Sequence, residues 1–268
     1  AERAAEEGIE VTWVDAHFVA MLAERLVAAL RDIIVALLAS TVLFETAERV
    51  PGLSQLTAAA QKKGIAVLYD AYHAFTTVPF QVADLGTDPL YVVAGGYKYA
   101  QWGEGVCFLR VPRGTSLRPV LTGWFADFGS LSAQHATGPV QYGAAGESRF
   151  AGSTFDPISA YRARAVCRFF ARQEMTVPAL RALSVQQTTR LYARLAGAPG
   201  VVLATPADAD ARGAFLTLRT PRAGHVVQAL RGEGVYVDSR RDLLRLGPAP
   251  YITVEEIDLA ADLLLRHL

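Results

Sequence analysis

The sequence predicts an α/β domain followed by a small α+β domain, and three observations indicate this fold class. Between residues 33 and 111, apolar runs of strand length alternate with a segment of helical periodicity. The runs 65–69 and 90–94 are almost wholly apolar, as in strands buried within a sheet that has crossover helices. Short strand and helix patterns then alternate again towards the C-terminus. We therefore assign residues 1–157 to the first domain, and residues 158–268 to a connecting helix and the small domain.

The first elements precede the apolar strands. Residues 2–8 have the composition of a helix that ends at Gly8, and Ile9 to Val14 alternate apolar and polar side chains, which predicts a short strand. Apolar residues at helical spacing predict a helix over residues 18–31. The run from Ile33 to Leu38 predicts a fully buried strand.

The strands that follow place polar side chains at one edge of the predicted sheet. A helix over residues 53–63 is bounded by Pro51-Gly52 and Gly64. The strand after it delivers Asp70 at its carboxyl end, and the strand over 90–94 ends in a Gly-Gly turn before Lys98. In such sheets, ligands bind beyond the carboxyl ends of the strands.

The second half begins with a long irregular segment, residues 112–157, which is rich in Gly, Pro and aromatic residues. A loop of this length is usually functional. Residues 158–196 have helical periodicity. The remaining predicted strands cover Gly105–Val111, Val201–Ala204, Ala214–Arg219, Val235–Asp238 and Leu243–Leu246, and the remaining helices cover His225–Gly232 and Val254–Leu268.

The amino-acid composition and net charge disfavour several functional classes. The 26 basic residues balance the 26 acidic ones, and this net charge of zero gives no support for binding to nucleic acid or to a membrane surface. No apolar run reaches the ~20 residues of a membrane span, and the acidic N-terminus lacks the basic start of a signal peptide. Two cysteines without metal-type spacing predict neither a disulfide framework nor a metal site, which favours the cytoplasm.

Asp70 and Lys98 form the constellation that carries chemistry. A lysine that attacks carbonyl groups must be partly neutral, so it is desolvated or lies near positive charge. An aspartate that pairs with a protonated pyridine nitrogen makes a pyridoxal ring an electron sink. Taken singly, Asp70 could equally cap a helix and Lys98 could be a solvated surface residue. Their positions after two successive strands, beside Gly and aromatic residues, make one shared site a hypothesis of equal standing with these alternatives.

The segments Asp-Ala-Tyr-His-Ala (70–74), Gly-Gly-Tyr-Lys-Tyr (95–99) and Gly-Glu-Gly (103–105) resemble kynureninase and, more widely, the class V aminotransferase branch of the fold-type I pyridoxal-phosphate enzymes. The resemblance implies a pyridoxal 5'-phosphate cofactor and a catalytic set of Lys98, Asp70 and His73. It implies that Lys98 forms the Schiff base, Asp70 pairs with the pyridine nitrogen, His73 lies beside the cofactor and Tyr97 binds its phosphate.

Three further segments extend the resemblance. Trp124, within Gly-Trp-Phe, matches a residue that reaches the phosphate, although an ordinary core aromatic explains it as well. Ser153 and Thr154 match a segment that crosses to the phosphate of a neighbouring subunit, and they equally suit a helix N-cap. Arg245 matches the arginine that binds the substrate carboxylate, for which a planar guanidinium is suited. The alternative for Arg245 is a surface position like those expected of its neighbours.

The family's N-terminal portion, with its phosphate loop and an aromatic that stacks on the ring, has no counterpart before Asp70. The chain therefore resembles an N-terminally truncated fold-type I large domain with a small C-terminal α+β domain. We expect a fragment, a site completed by a partner chain, or weak cofactor affinity. Cys107 lies in an apolar strand and is predicted to be core, which argues against a cysteine desulfurase.

The resemblance implies hydrolytic cleavage of the Cβ–Cγ bond of L-kynurenine or a related amino acid, giving alanine and an aromatic acid in tryptophan catabolism. The alternatives are a class V aminotransferase, a β-eliminating lyase, or an inactive dimerisation partner. The implied partners are a small amino-acid substrate and a second copy of the chain in a homodimer with shared active sites, with no nucleic acid and no membrane.

Overall fold

The computed structural model of the chain describes residues 2–86, 89–130, 132, 142–143 and 146–268. A four-stranded sheet lies in the first half, with the strands in the order β1-β2-β3-β4. These strands are β1 (Ala36–Ser40), β2 (Ala66–Asp70), β3 (Leu90–Gly95) and β4 (Cys107–Arg110). β1, β2 and β3 are parallel, and β4 is antiparallel to β3.

The register of this sheet places the end of β2, at Asp70, and the end of β3, before Lys98, at the same edge. Ser40 lies opposite Asp70, and Gly95 lies opposite Cys107. Because β4 runs in the reverse direction, it begins at the same edge at which the three parallel strands end. The loop that follows β3 therefore emerges beside Asp70 and carries Lys98.

Helices α1 (Glu2–Glu6), α2 (Leu22–Ala29) and α3 (Leu53–Lys62) precede or connect these strands. α3 begins after Gly52 and is followed by Gly64, and both glycines have a left-handed φ of about 70°, as the sequence predicted for the helix ends. It buries Leu56 against the sheet, and the buried Tyr69 hydroxyl donates to the Leu53 carbonyl at 2.9 Å. Apolar burial and this hydrogen bond fix α3 against β2.

The second half contains two long helices and an antiparallel sheet in the order β5-β6-β8-β7. Its elements are α4 (Ile158–Arg172), α5 (Val177–Leu195), β5 (Val202–Leu203), β6 (Leu216–Arg219), α6 (Ala223–Gly232), β7 (Asp238–Arg240), β8 (Leu243–Leu246) and α7 (Val254–His267). Leucines of α5, β6, β8 and α7 form one buried cluster. A capping box at Thr253 and Glu256 begins α7.

The segment 41–49 joins the two halves. The Gly213 amide donates to the Ala47 carbonyl at 2.6 Å, and the Thr205 hydroxyl donates to the Thr46 carbonyl at 2.7 Å. Arg49 reaches the Asp210 carbonyl at 2.7 Å. These contacts hold the second sheet beside the edge at which β1, β2 and β3 end.

Three strand predictions need correction. Residues 9–14 form no strand, because no strand among the described residues pairs with them and Ile9, Val11 and Trp13 are exposed. The strand predicted at Ile33–Leu38 begins at Ala36 instead and is not fully buried, since β1 is an edge strand and Leu38 is 67% exposed. The strand predicted at 235–238 is shifted to Asp238–Arg240, where it pairs with β8.

The other strands and the long helices were predicted correctly, with a break between α4 and α5 that the sequence analysis did not predict. The boundary at residues 157 and 158 stays a prediction. Among the residues that the structure describes, no helix is both long and apolar enough to cross a membrane.

Candidate active site

The turn after β3 can only be built with glycine. A Cβ atom on Gly95 would lie 2.4 Å from the Tyr72 ring, and one on Gly96 would lie 2.3 Å from the Trp102 ring. Real Cβ atoms do not approach other atoms so closely, so both side chains must be absent for the turn to pack. The turn places Lys98 at the sheet edge.

Lys98 lies in a cleft of about 600 Å³ between the two halves of the chain, which we call the Lys98 cleft. One wall comes from the β2 and β3 loops and includes His73, Tyr97, Lys98 and Tyr99. The facing wall comes from the second sheet and includes Phe215, Tyr236, Asp238 and Arg245. A volume of this size holds a small organic molecule.

Lys98 is partly buried, and its Nζ lies 3.1 Å from Nε2 of His73. Burial lowers the pKa of Lys98, the positive charge of Arg245 lowers it further, and Asp70 opposes the shift. Within the described part of the chain, Lys98 forms no salt bridge. The amine is therefore displaced towards its neutral, nucleophilic form.

His73 is a neutral residue at physiological pH. Burial and the charges of Lys98 and Arg245 lower its pKa from 6.5 to about 3. Its Nδ1 atom is buried and has no hydrogen-bond partner among the described residues. Its ring packs against Phe215 at a centroid distance of 5.1 Å. A buried polar atom without a partner in a cleft is a natural place for a ligand hydrogen bond.

Arg245 is held by its surroundings on the facing wall. Its Nε donates to Oδ1 of Asp238 at 2.7 Å, and its Nη2 donates to the other oxygen of the same carboxylate. Nη1 donates to the Phe44 carbonyl at 2.9 Å. Asp238 raises the pKa of Arg245, and Arg245 lowers that of Asp238. The predicted projection of Arg245 from an apolar strand into the cleft agrees with this placement.

Asp70 lies at the same sheet edge but is not among the residues that line the Lys98 cleft. It is exposed, and its Oδ1 accepts a hydrogen bond from the Tyr72 amide at 2.9 Å. Its charge still acts on the cleft, because it raises the pKa values of Lys98 and Tyr97.

Trp124, Ser153 and Thr154 lie together, away from the lining of the Lys98 cleft. The Phe125 amide donates to the Gly152 carbonyl at 3.1 Å, so the two predicted phosphate segments contact each other. Trp124 is 46% exposed and stacks on Phe125 at 4.4 Å. Ser153 and Thr154 are exposed.

Cys107 was predicted to be core, and this prediction was wrong. It is exposed at the start of β4, on the sheet edge near Asp70. Its hydrogen bond with Tyr72 is the main cause that raises the pKa of that tyrosine to about 12. Because Cys107 is exposed, its position does not argue against a cysteine desulfurase. Within the described residues, no three His, Cys, Asp or Glu side chains could jointly hold a metal ion.

Sequence reasoning missed Asp238, the partner of Arg245. The two residues lie opposite each other in the β7–β8 pairing, whose connection consists of Arg241 and Asp242. Arg241 has a φ of 55°, and no glycine or asparagine in the sequence marks this turn. A predicted hairpin centred between residues 241 and 242 would have placed Asp238 opposite Arg245.

Sequence comparison identifies related proteins. The model of the family "Kynureninase C-terminal domain" matches residues 180–264. The kynureninase of Yarrowia lipolytica is 28% identical over 254 residues, covering 79% of this chain and 53% of that protein. An uncharacterised aminotransferase of Bacillus subtilis is 27% identical over 210 residues, covering 76% of the chain and 52% of that protein. The chain thus spans about half the length of the curated relatives it matches.

Solved structures agree in fold. The cysteine desulfurase of Thermococcus onnurineus NA1 superposes with a TM-score of 0.80 at 14% identity, covering all of this chain and 69% of that one. The cystine C–S lyase C-DES, one form of which has glycine covalently linked to its pyridoxal-phosphate cofactor, gives 0.72 at 20% identity, covering 90% and 63%. The predicted fold and resemblance are confirmed: the chain is related in sequence to the kynureninases and has the fold of the fold-type I pyridoxal-phosphate enzymes.

Proposed function

We propose that this chain is the lysine-bearing part of a pyridoxal-phosphate-dependent, kynureninase-like hydrolase. The reaction adds water across the Cβ–Cγ bond of L-kynurenine or a related aryl-keto amino acid and gives alanine and an aromatic acid. One observation carries the proposal: Lys98, an amine displaced towards neutrality, faces Arg245 across a single cleft. An amino-acid substrate needs both a carbonyl-reactive amine to carry the cofactor and a cation for its carboxylate.

The donor and acceptor groups of the cleft, together with Asp70 at the adjoining sheet edge, fit pyridoxal phosphate. An aldehyde needs a neutral amine, and the pKa of Lys98 is lowered. A phenolic or carbonyl oxygen needs hydrogen-bond partners, and the Nδ1 atom of His73 has no partner in the part of the chain that the structure describes. The second carboxylate oxygen of Asp70 has no bond to any described residue, so it can receive a protonated ring nitrogen.

When bound, pyridoxal phosphate supplies an aldehyde for amino groups and a ring that withdraws electrons from the substrate. Lys98 would hold the cofactor and then accept and return protons at its Nζ. His73, being neutral, would exchange hydrogen bonds with Nζ without competing for the proton. Asp70 would keep the ring nitrogen protonated. Arg245 would bind the α-carboxylate and so orient the bond to be broken.

Phosphate binding is the part of the proposal that involves a second copy of the chain. Tyr97 lines the Lys98 cleft, but Trp124, Ser153 and Thr154 do not. Ser153 and Thr154 are exposed outside this cleft, which supports their serving the cleft of a neighbouring subunit in a homodimer with shared active sites. Sedimentation of the cofactor-loaded protein should therefore give a dimer, and a monomer that binds cofactor tightly contradicts this part.

Borohydride reduction tests the cofactor assignment. The protein incubated with pyridoxal phosphate should, after reduction and peptide mapping, carry the pyridoxyl group on Lys98. Lys62 is the last residue of α3 and Lys63 follows it. Both are exposed and serve as internal controls. A label confined to either of them removes Lys98 from the proposed site. No absorption change with pyridoxal phosphate would favour an inactive dimerisation partner.

Product analysis tests the reaction class. Incubation with L-kynurenine should release alanine and an aromatic acid in equal amounts. A keto acid formed from the amino acid would indicate an aminotransferase, which the Bacillus subtilis relative supports as the second candidate. Release of pyruvate and ammonia would indicate a β-eliminating lyase.

The proposed location is the cytoplasm, in tryptophan catabolism. Cys107 and Cys167 are both free and exposed, which suits a reducing compartment. Fractionation of the source cells, with the protein followed by antibody, tests this location.

A further inference from the structure

Both carboxylate oxygens of Asp238 accept hydrogen bonds from one edge of the Arg245 guanidinium. The two residues are paired across β7 and β8, with Nε to Oδ1 at 2.7 Å and Nη2 to Oδ2 as the second bond. The Arg245 side chain is 11% exposed, whereas that of Asp238 is 48% exposed. Two parallel bonds from a planar group to a planar group fix orientation as well as distance.

Two further contacts complete the support of Arg245. Its Nη1 donates to the Phe44 carbonyl at 2.9 Å, and its Cζ lies 5.9 Å from the centre of the Phe215 ring. A guanidinium has five N–H groups. Asp238 and Phe44 use three of them, so two remain, one on each terminal nitrogen. A substrate carboxylate can bind Arg245 through these two alone while the support is intact.

We infer that Asp238 is a positioning residue, which holds Arg245 so that its two remaining N–H groups are available to a substrate carboxylate. The inference rests on the proposed function, because it assumes that an amino acid binds in the Lys98 cleft. Asp238 does not need to contact the substrate. Without it, the guanidinium keeps its charge but can rotate, and each bound carboxylate must then also order the arginine side chain.

The test measures binding of L-alanine, the proposed product, to the cofactor-loaded protein by its effect on the cofactor absorption. Asp238→Asn removes the charge and one acceptor, and it should weaken L-alanine binding by about tenfold. The matched control is Asp242→Asn. This change breaks the ion pair between Arg219 and Asp242 near the same hairpin. Neither residue lines the cleft, so the affinity for L-alanine should stay unchanged.

A double-mutant cycle separates positioning from a general structural effect. If Asp238 acts through Arg245, Asp238→Asn should cost little further affinity once Arg245→Lys is present. A tenfold loss that persists undiminished in the Arg245→Lys background overturns the inference, as does wild-type affinity in Asp238→Asn alone.

Two further measurements distinguish failure of the inference from failure of the proposed function and from a folding defect. If the wild-type protein binds cofactor but not L-alanine, the proposed function fails, and this outcome precedes any comparison of variants. Should Asp238→Asn not fold, Asp238→Glu keeps the charge and displaces the carboxylate by one methylene. It should weaken binding by about threefold, and unchanged affinity in this variant overturns the inference.

Discussion

Among the described residues, the polar groups on one wall of the Lys98 cleft are incompletely satisfied, whereas on the facing wall protein acceptors hold three of the five N–H groups of Arg245. Lys98 has no salt bridge in the described part of the chain, and His73 has a buried Nδ1 atom without a partner. Arg245 donates to a carboxylate through two nitrogens and to a backbone carbonyl through the third. We propose that the first wall supplies the reactive amine and that the second wall orients the substrate.

Physical chemistry explains why the two walls differ. A reactive amine must be able to lose its proton, and a carboxylate partner would raise its pKa and suppress that loss. A carboxylate-binding arginine must stay charged and keep one orientation, and Asp238 raises the pKa of Arg245.

Lys98→Met removes the amine of the reactive wall while keeping the length of the side chain. We expect turnover to fall by at least about a thousandfold, because no other group in the described cleft can carry the cofactor and move the proton. The measurement is the turnover rate with saturating cofactor. Lys63→Met, which removes a surface lysine paired with Asp32, is the control and should turn over normally. Activity in Lys98→Met above a tenth of wild type contradicts the role of Lys98.

Asp70→Asn tests whether the residue outside the cleft lining still acts on the chemistry. A neutral amide cannot keep the ring nitrogen protonated, so the rate should fall roughly a thousandfold while the cofactor is retained. The measurements are turnover and the cofactor content after dialysis. Asp84→Asn, an exposed aspartate outside the cleft, is the control. Near-normal turnover in Asp70→Asn would mean that Asp70 has only a local structural role at the end of β2.

Arg245→Lys tests the orienting wall. Lysine keeps the charge but loses the planar fork, so KM should rise for every amino-acid substrate, with a loss of about 1.5–3 kcal/mol in substrate affinity. Cofactor binding should be normal, because the residue serves the substrate carboxylate. Arg219→Lys, in the neighbouring strand β6, should leave KM unchanged. Loss of cofactor with retained substrate affinity would make Arg245 a phosphate ligand instead.

The neutral state of His73 predicts a dependence of stability on pH. Its pKa is about 3 in the folded chain and 6.5 in the unfolded chain, so between these values the unfolded chain binds more protons. Stability contributed by neutral His73 is therefore present above pH 6.5 and is lost as pH falls. Its share should be about 2 kcal/mol smaller at pH 5 than at pH 7.

Urea unfolding of the cofactor-free chain at the two pH values measures this share. His73→Gln cannot titrate and should lose about 2 kcal/mol less stability than the wild type between pH 7 and pH 5. His225→Gln, a change in a histidine of α6 outside the cleft, is the control. An equal pH dependence in wild type and His73→Gln would show that His73 titrates normally.

Local patterns predicted much of the fold and the reactive wall. The glycines that bound α3, the apolar runs of β2 and β3, and the turn before Lys98 act over a few residues, so their effect can be read from neighbouring positions. The predictions that failed depended on neighbours distant in sequence. Ile9–Val14 alternate like a strand but pair with no strand in the described part of the chain, and Cys107 is exposed at the start of an apolar strand.

Local sequence patterns are enough to locate the candidate site residues Lys98 and Asp70, because a lysine after a Gly-Gly turn and an aspartate after an apolar strand follow from local chain geometry. The way in which Arg245 is held depends instead on tertiary contacts. Its partner Asp238 becomes visible once the β7–β8 register is known, and the Phe44 carbonyl lies 201 positions away in the chain. Hydrogen bonds over such separations depend on how the two sheets pack against the segment 41–49, and no local preference of the chain encodes that packing.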